Sequence, residues 1–230
     1  SYYYNRGEEW GKGVAVNYKF ASYPAGTGVY DIERGQLDKM GDLFWQNDTA
    51  VAKKSWGYVE GQDYKTTGHL VRDLIDIVSK NGCLLLNIGP KPDGTIPAPE
   101  QQLLREIGEW LVLNGEAIYA TTHWKTYLEG PTRTSTGHLA EHKDQPFTAK
   151  DIRFTKKGDT LYAILLDWPE SRRVSIQSLA EHAETASINI RNVKLLGSED
   201  EITWQRDDEG LHVELPESKP CEFAFVLEIN

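Results

Sequence analysis

The run from Val78 to Pro97 constrains the fold more than any other part of this 230-residue chain. Leu84, Leu85, Leu86 and Ile88 form a near-continuous apolar stretch of strand length, the pattern of a strand covered on both faces. Asn81-Gly82 before it ends a helix, and Gly89-Pro90 and Pro92-Asp93-Gly94 after it make a loop of tight turns. A buried parallel strand emptying into such a loop is where α/β enzymes place their chemistry.

Residues 1–122 read as α/β throughout. A helix is expected over 2–10 and short strands over 13–18 and 28–33. From a cap at Thr66 or Thr67, Leu70, Val71, Leu74, Ile75 and Val78 recur at helical spacing. A further helix over about 99–114 carries Leu103, Leu104, Ile107, Trp110 and Leu111 and stops at Gly115. Three or four parallel strands are far short of the eight units and roughly 250 residues of a complete (β/α)8 barrel, so about half a barrel is expected. Residues 123–149, rich in Thr, Gly, His and Pro, read as a surface connection. Beyond 150 the apolar period changes to two, with strands expected over 152–155, 161–166, 173–176, 186–196, 202–204, 211–215 and 222–229, an antiparallel β-sandwich.

Net charge of −10 and a pI near 5.1 argue against nucleic-acid and anionic-membrane partners. No stretch approaches the roughly 18 apolar residues of a membrane helix. Ser1-Tyr2-Tyr3 has neither an apolar leader pattern nor an initiating Met, so processing or a longer parent polypeptide is expected, and no compartment can be assigned. Cys83 and Cys221 read as free core thiols, and no Cys/His spacing points to a metal or other cofactor. Seven Trp and eleven Tyr suit a carbohydrate cleft, although most such rings serve as core.

Several ordered blocks resemble the α-L-fucosidases of glycoside hydrolase family 29. They are Tyr2-Tyr3-Tyr4-Asn5, Asp31-Ile32-Glu33-Arg34-Gly35, Trp45-Gln46-Asn47-Asp48-Thr49, Ser55-Trp56-Gly57-Tyr58, the run opening at Val78, and Ile107-Gly108-Glu109-Trp110-Leu111 with Asn114-Gly115-Glu116. Tyr162 to Pro169 is similar to the domain that follows the barrel in that family. The resemblance implies retaining hydrolysis of terminal α-L-fucose, which needs two carboxyl groups about 5–5.5 Å apart. It also implies that the family's nucleophile Asp and several sugar-gripping side chains lie on a part of the barrel upstream of this sequence.

Glu33 matches the acid/base position of several family members. Read from the residues alone it is a solvated strand-end Glu paired with Arg34, and Glu60 and Glu8 are outside candidates for the acid/base role. Asp31, two residues earlier, points to the same side of a regular strand, as a second carboxylate, an orienting group or a backbone-bonded Asp. The resemblance places Trp56 on the apolar face of the sugar, Trp45 and Asp48 in a barrel-top loop lining the cleft, and Lys19 where the family carries a basic residue. Core packing for the rings and solvation for the lysine are the plain alternatives. Asn87 is expected to hold a loop, with Gly89, Pro90 and Gly94 as turn residues. His123, His138 and His142 read as solvated loop histidines, and Asp73 and Asp76 as solvent-facing.

Half a barrel leaves raw strand edges and an uncovered apolar face. Association with copies of itself or with the missing half is therefore expected, alongside a fucosylated glycan or glycoside substrate. A non-catalytic carbohydrate-binding or structural module, or an inactive fragment of a longer fucosidase, is the alternative.

Overall fold

The computed structural model describes residues 1–184 and 189–230. Part of the strand expected over 186–196 lies outside them. In the first half, helix α1 (Tyr2–Glu9) leads into four parallel strands: β1 (Asn17–Tyr18), β2 (Val29–Glu33), β3 (Trp45–Ala50) and β4 (Gly82–Asn87), hydrogen-bonded in that order. Helix α2 (Thr67–Ser79) links β3 to β4, and α3 (Ala98–Asn114) follows β4. Thr66 caps α2 through His69 N–H, as its position before the apolar periodicity predicts.

The helices cover one face of the sheet. Ile32 and Trp45 pack on Ile77, and Leu70, Leu103 and Val51 enclose Leu86 and Ile88. The other face carries Asp31, Glu33, Gln46, Asp48, Cys83, Leu85 and Asn87 in register across the strands. Leu85 is 54% exposed there. The expected double burial of β4 is thus corrected: within the described residues only its helix-facing side is covered. Trp45 to Ala50 is also corrected, from loop to strand.

The second half is antiparallel. A five-stranded sheet runs β5 (Thr122–Glu129), β6 (Ile152–Lys157), β7 (Thr160–Leu165), β12 (Phe225–Ile229) and β9 (Val193–Leu195). A three-stranded sheet runs β10 (Thr203–Arg206), β11 (Leu211–Glu214) and β8 (Arg173–Ile176). Phe154, Leu161 and Leu227 of the first meet Val174, Ile176 and Val213 of the second in one core. Residues 123–129, expected as part of the surface connection, instead belong to a strand that pairs with β6 and inserts Trp124 into that core.

The two halves share a core of Val71, Ile75 and Trp110 from the helices with Tyr162, Ile164 and Val226 from β7 and β12. Beneath it Asp76 binds both Lys80 and Arg153, all three at most 1% exposed. Burial opposes ionisation of Asp76, but Lys80 and Arg153 hold its carboxyl below the usual range. The solvent-facing expectation for Asp73 and Asp76 is therefore corrected: Asp76 is covered by Arg153 of the sandwich, and Asp73 is buried against Gln36 and His69.

Asp73 is buried beside Gln36 and His69, and burial pushes its pKa up to about 8. Between about pH 4 and pH 8 the folded state thus keeps a proton the unfolded chain has released, so this residue lowers stability as pH rises. Asp73→Asn is expected to remove that slope, with a gain over the parent at pH 8 on the order of a few kcal/mol. Urea unfolding at pH 5 and pH 8 measures it; equal pH dependence in both proteins would contradict the assignment.

Candidate active site

The C-terminal ends of β2 and β3 bring four charged side chains together. Glu33 and Asp48 are register partners on the open face, and Asp31 lies one pleat below Glu33. Lys19, just past β1, reaches across to all three: its Nζ lies 2.9 Å from Glu33 Oε2, 2.8 Å from Asp48 Oδ2 and 3.6 Å from Asp31 Oδ2. Gln46 Nε2 donates to Asp31 Oδ1 at 3.1 Å. Asp48 Oδ1 is buried without a hydrogen-bond partner among the described residues.

Local backbone supports this convergence. Phe20, next to Lys19, and Arg34, next to Glu33, both adopt left-handed φ values, of 55° and 45°. Non-glycine residues hold such conformations only where surrounding contacts over-determine them. Arg34 is pinned by Ala52, Lys53 and Ser55 carbonyls and by Glu141, so its charge is spent inside the fold rather than on Glu33. Its guanidinium lies 4.6 Å from the Trp56 ring centroid. Asn87 Nδ2 donates to the Trp56 carbonyl at 2.6 Å, the loop-holding role expected of it.

The electrostatics are set by Lys19. Its hydrogen bond holds Glu33 below the ordinary carboxyl range, with a smaller contribution from the Trp56 side chain. Burial pushes Asp31 up, against the Gln46 hydrogen bond. Burial also works against the Lys19 charge, but hydrogen bonds to Asp48 and Glu33 outweigh it and raise its pKa. Lys19→Met is expected to move the Glu33 carboxyl upward, read by carbon-13 NMR titration. An unmoved midpoint would show that Lys19 does not govern this carboxyl.

The family model for α-L-fucosidase matches residues 2–116, and that for the α-L-fucosidase C-terminal domain matches residues 144–230. The chain belongs to the α-L-fucosidase family. This fucosidase-family chain is 31% identical to human tissue α-L-fucosidase over 88% of its length and 35% identical to the human plasma enzyme over 81%. It spans 41% and 37% of those proteins. Its fold is similar to that of Thermotoga maritima α-fucosidase solved in complex with fucose, with a TM-score of 0.73 and 26% identity over the whole chain and 47% of that structure.

Within the fucosidase frame, Glu33, Asp31, Asp48 and Lys19 come together, and Trp56, 37% exposed, stands beside them. Trp45 does not join them. It begins β3 at the far end from Asp48, is 1% exposed, and donates from Nε1 to the Lys80 carbonyl at 3.0 Å. Glu8 and Glu60 are exposed and outside the cluster. Among the described residues, Glu181, His182 and Asp208 form a group with metal-ligand spacing, exposed on the sandwich and remote in sequence from this cluster.

Sequence reasoning missed His138. Its Nδ1 accepts the Glu33 backbone N–H at 3.1 Å, and its ring stacks on Phe20 with centroids 4.2 Å apart. The solvated-loop expectation is corrected by this geometry. No spacing in the sequence signals it, because the contact joins residues 105 positions apart.

Proposed function

We propose that this chain takes part in retaining hydrolysis of terminal α-L-fucose from fucosylated glycans or glycosides, with Glu33 as acid/base. The observation that carries this reading is the convergence of Glu33, Asp48 and Asp31 on Lys19 at the carboxyl ends of adjacent parallel strands, where α/β enzymes build their sites.

In the first step a carboxylate attacks the anomeric carbon and the glycosidic C–O bond breaks as protonated Glu33 gives its proton to the leaving oxygen. Water then attacks the glycosyl-enzyme, Glu33 takes the water's proton, and the carboxylate nucleophile leaves. Lys19, Asp48, Asp31 and the Trp56 ring supply sugar contacts and orientation.

The nucleophile comes from outside the cluster. Glu33 and Asp48 are both ion-paired to the Lys19 ammonium, at 2.9 and 2.8 Å, so neither is free to attack an anomeric carbon while that pairing holds. The open sheet face with Leu85, continuous with the cluster, is where the completing surface docks. That surface is either further polypeptide forming the rest of a barrel or a second copy of this chain. Docking also desolvates Glu33, a change that raises an acid now held low.

Release of fucose from an α-L-fucoside, with proton NMR following the first anomer formed, tests the reading. The α-anomer is expected; the β-anomer, or no release from an assembled sample, contradicts it. The capped state of the carboxylates favours a second reading, a non-catalytic sugar-binding module. Saturable fucose binding with turnover at the buffer rate under all assembly conditions would support that one instead.

A further inference from the structure

Residues 136–141 run alongside the turn that follows β2 and bond to it at every alternate position. Gly137 N–H donates to Gln36 O at 2.9 Å, Leu139 N–H to Glu33 O at 2.7 Å and Glu141 N–H to Arg34 O at 3.0 Å. In the opposite sense, Glu33 N–H donates to His138 Nδ1 at 3.1 Å. The approach is so close that a Cβ on Gly35 would sit 1.8 Å from the Gly137 carbonyl oxygen. This segment lies between the two matched family regions, 2–116 and 144–230, and inside neither.

Two side chains extend the contact into the site. With Nδ1 accepting from an amide, the neutral His138 ring carries its proton on Nε2, which donates to the Tyr30 hydroxyl 3.1 Å away. Phe20 lies against the ring, which ties the Lys19 turn to the Glu33 turn. Glu141 accepts from Arg34, Lys65 and Thr49, and Arg34 in turn carries Trp56. Burial opposes the Glu141 charge, but hydrogen bonds from Lys65, Thr49 and Arg34 hold its carboxyl low.

We propose that segment 136–141 is a strap that fixes the end of β2, and that His138 is a positioning residue for the Glu33 carboxylate. The proposal rests on the acid/base reading of Glu33 given above. Neither unit supplies this restraint itself: β2 ends at Glu33, and its continuation is held by a segment belonging to the approach to the sandwich. Displacement of a reacting group by about 1 Å can cost on the order of 100-fold in rate. The loss should fall on steps that need proton transfer from Glu33.

The test compares His138→Leu, which removes the acceptor, with His138→Asn, whose Oδ1 can accept in place of Nδ1. Hydrogen exchange at the Glu33 amide is expected to accelerate about tenfold or more in the leucine variant and to return to near the parent rate in the asparagine variant. Toward fucosides with poor leaving groups, kcat/KM should fall about 10- to 100-fold in the leucine variant, while kcat/KM for activated aryl fucosides, which reports the first step alone, stays nearly unaffected. Asparagine should restore most of that loss. Unfolding curves for both variants identify any general loss of structure. Unchanged Glu33 amide exchange in a folded leucine variant overturns the strap, as does equal loss across all leaving groups. The acid/base reading fails separately, when Glu33→Gln leaves the leaving-group dependence intact while the amide exchange still responds to His138.

Discussion

Replacing Glu33 by Gln is expected to slow cleavage of alkyl and glycan fucosides by about 10²- to 10⁴-fold, while an aryl fucoside with an acidic phenol loses little in its first step. The amide keeps the shape of the side chain and part of its hydrogen bonding to Lys19 but has no proton to donate and cannot serve as a base. A good leaving group departs without protonation, so it exposes the acid role by contrast. The second step still needs a base, so aryl substrates should show a burst of phenol and then slow turnover. A small external nucleophile such as azide, which needs no deprotonation, should relieve that second step. Equal loss across leaving groups would remove Glu33 from the acid role and leave it as a sugar contact.

The second large effect is structural. Asp76→Ala is expected to destabilise the chain by about 3–5 kcal/mol, because Lys80 and Arg153 would remain buried with their countercharge gone. The comparison that identifies the cause is Arg153→Met, which removes one of the two cations and leaves the Asp76–Lys80 pair together. It should cost clearly less. Urea unfolding gives both values. If Asp76→Ala unfolds at the parent's midpoint, the cluster does not join the helices to the sandwich as its burial requires. Lys80 Nζ also donates to the Leu37 carbonyl and to Thr134 Oγ1, so loss of the cluster should also loosen the segment between β5 and the strap.

What the sequence disclosed follows from which segments carry a single, unbroken apolar period. Helix α2 was readable because Leu70, Val71, Leu74 and Ile75 repeat on one face behind a Thr66 cap, and β6, β7 and β12 because their periodicity ends at clear turns. β3 was not, because Gln46 and Asp48 face the open site and Asn47 and Thr49 face the other way, leaving polar residues on both sides. β5 was hidden by an irregular register between His123 and Leu128 that breaks the alternation.

In the site, Glu33 and Asp31 were legible as neighbours because strand geometry alone puts i and i+2 on one side. The placement of Asp48 opposite Glu33 required knowing that β3 exists. Trp45 was misplaced for the same reason: as the first residue of a strand, it sits at the buried end rather than the open one. Asp73 and Asp76 show a different limit. Their helix has packed faces toward both the sheet and the sandwich, and Asp76 reads as solvated until its cationic partners are brought in from 4 and 77 positions away, as Asp73 does until Gln36 covers it.

On the proposed function, the Lys19-centred carboxylates are one part of a glycosidic site that a second surface completes. Turnover of a fucosyl disaccharide measured on fractions of defined molecular mass, in one buffer and across a dilution series, tests it most directly. Activity is expected to reside in the assembled fractions, to disappear on dilution to the monomer, and to be lost from every fraction with Glu33→Gln. A fully active monomer, or assembled fractions whose turnover is untouched by Glu33→Gln, would contradict it.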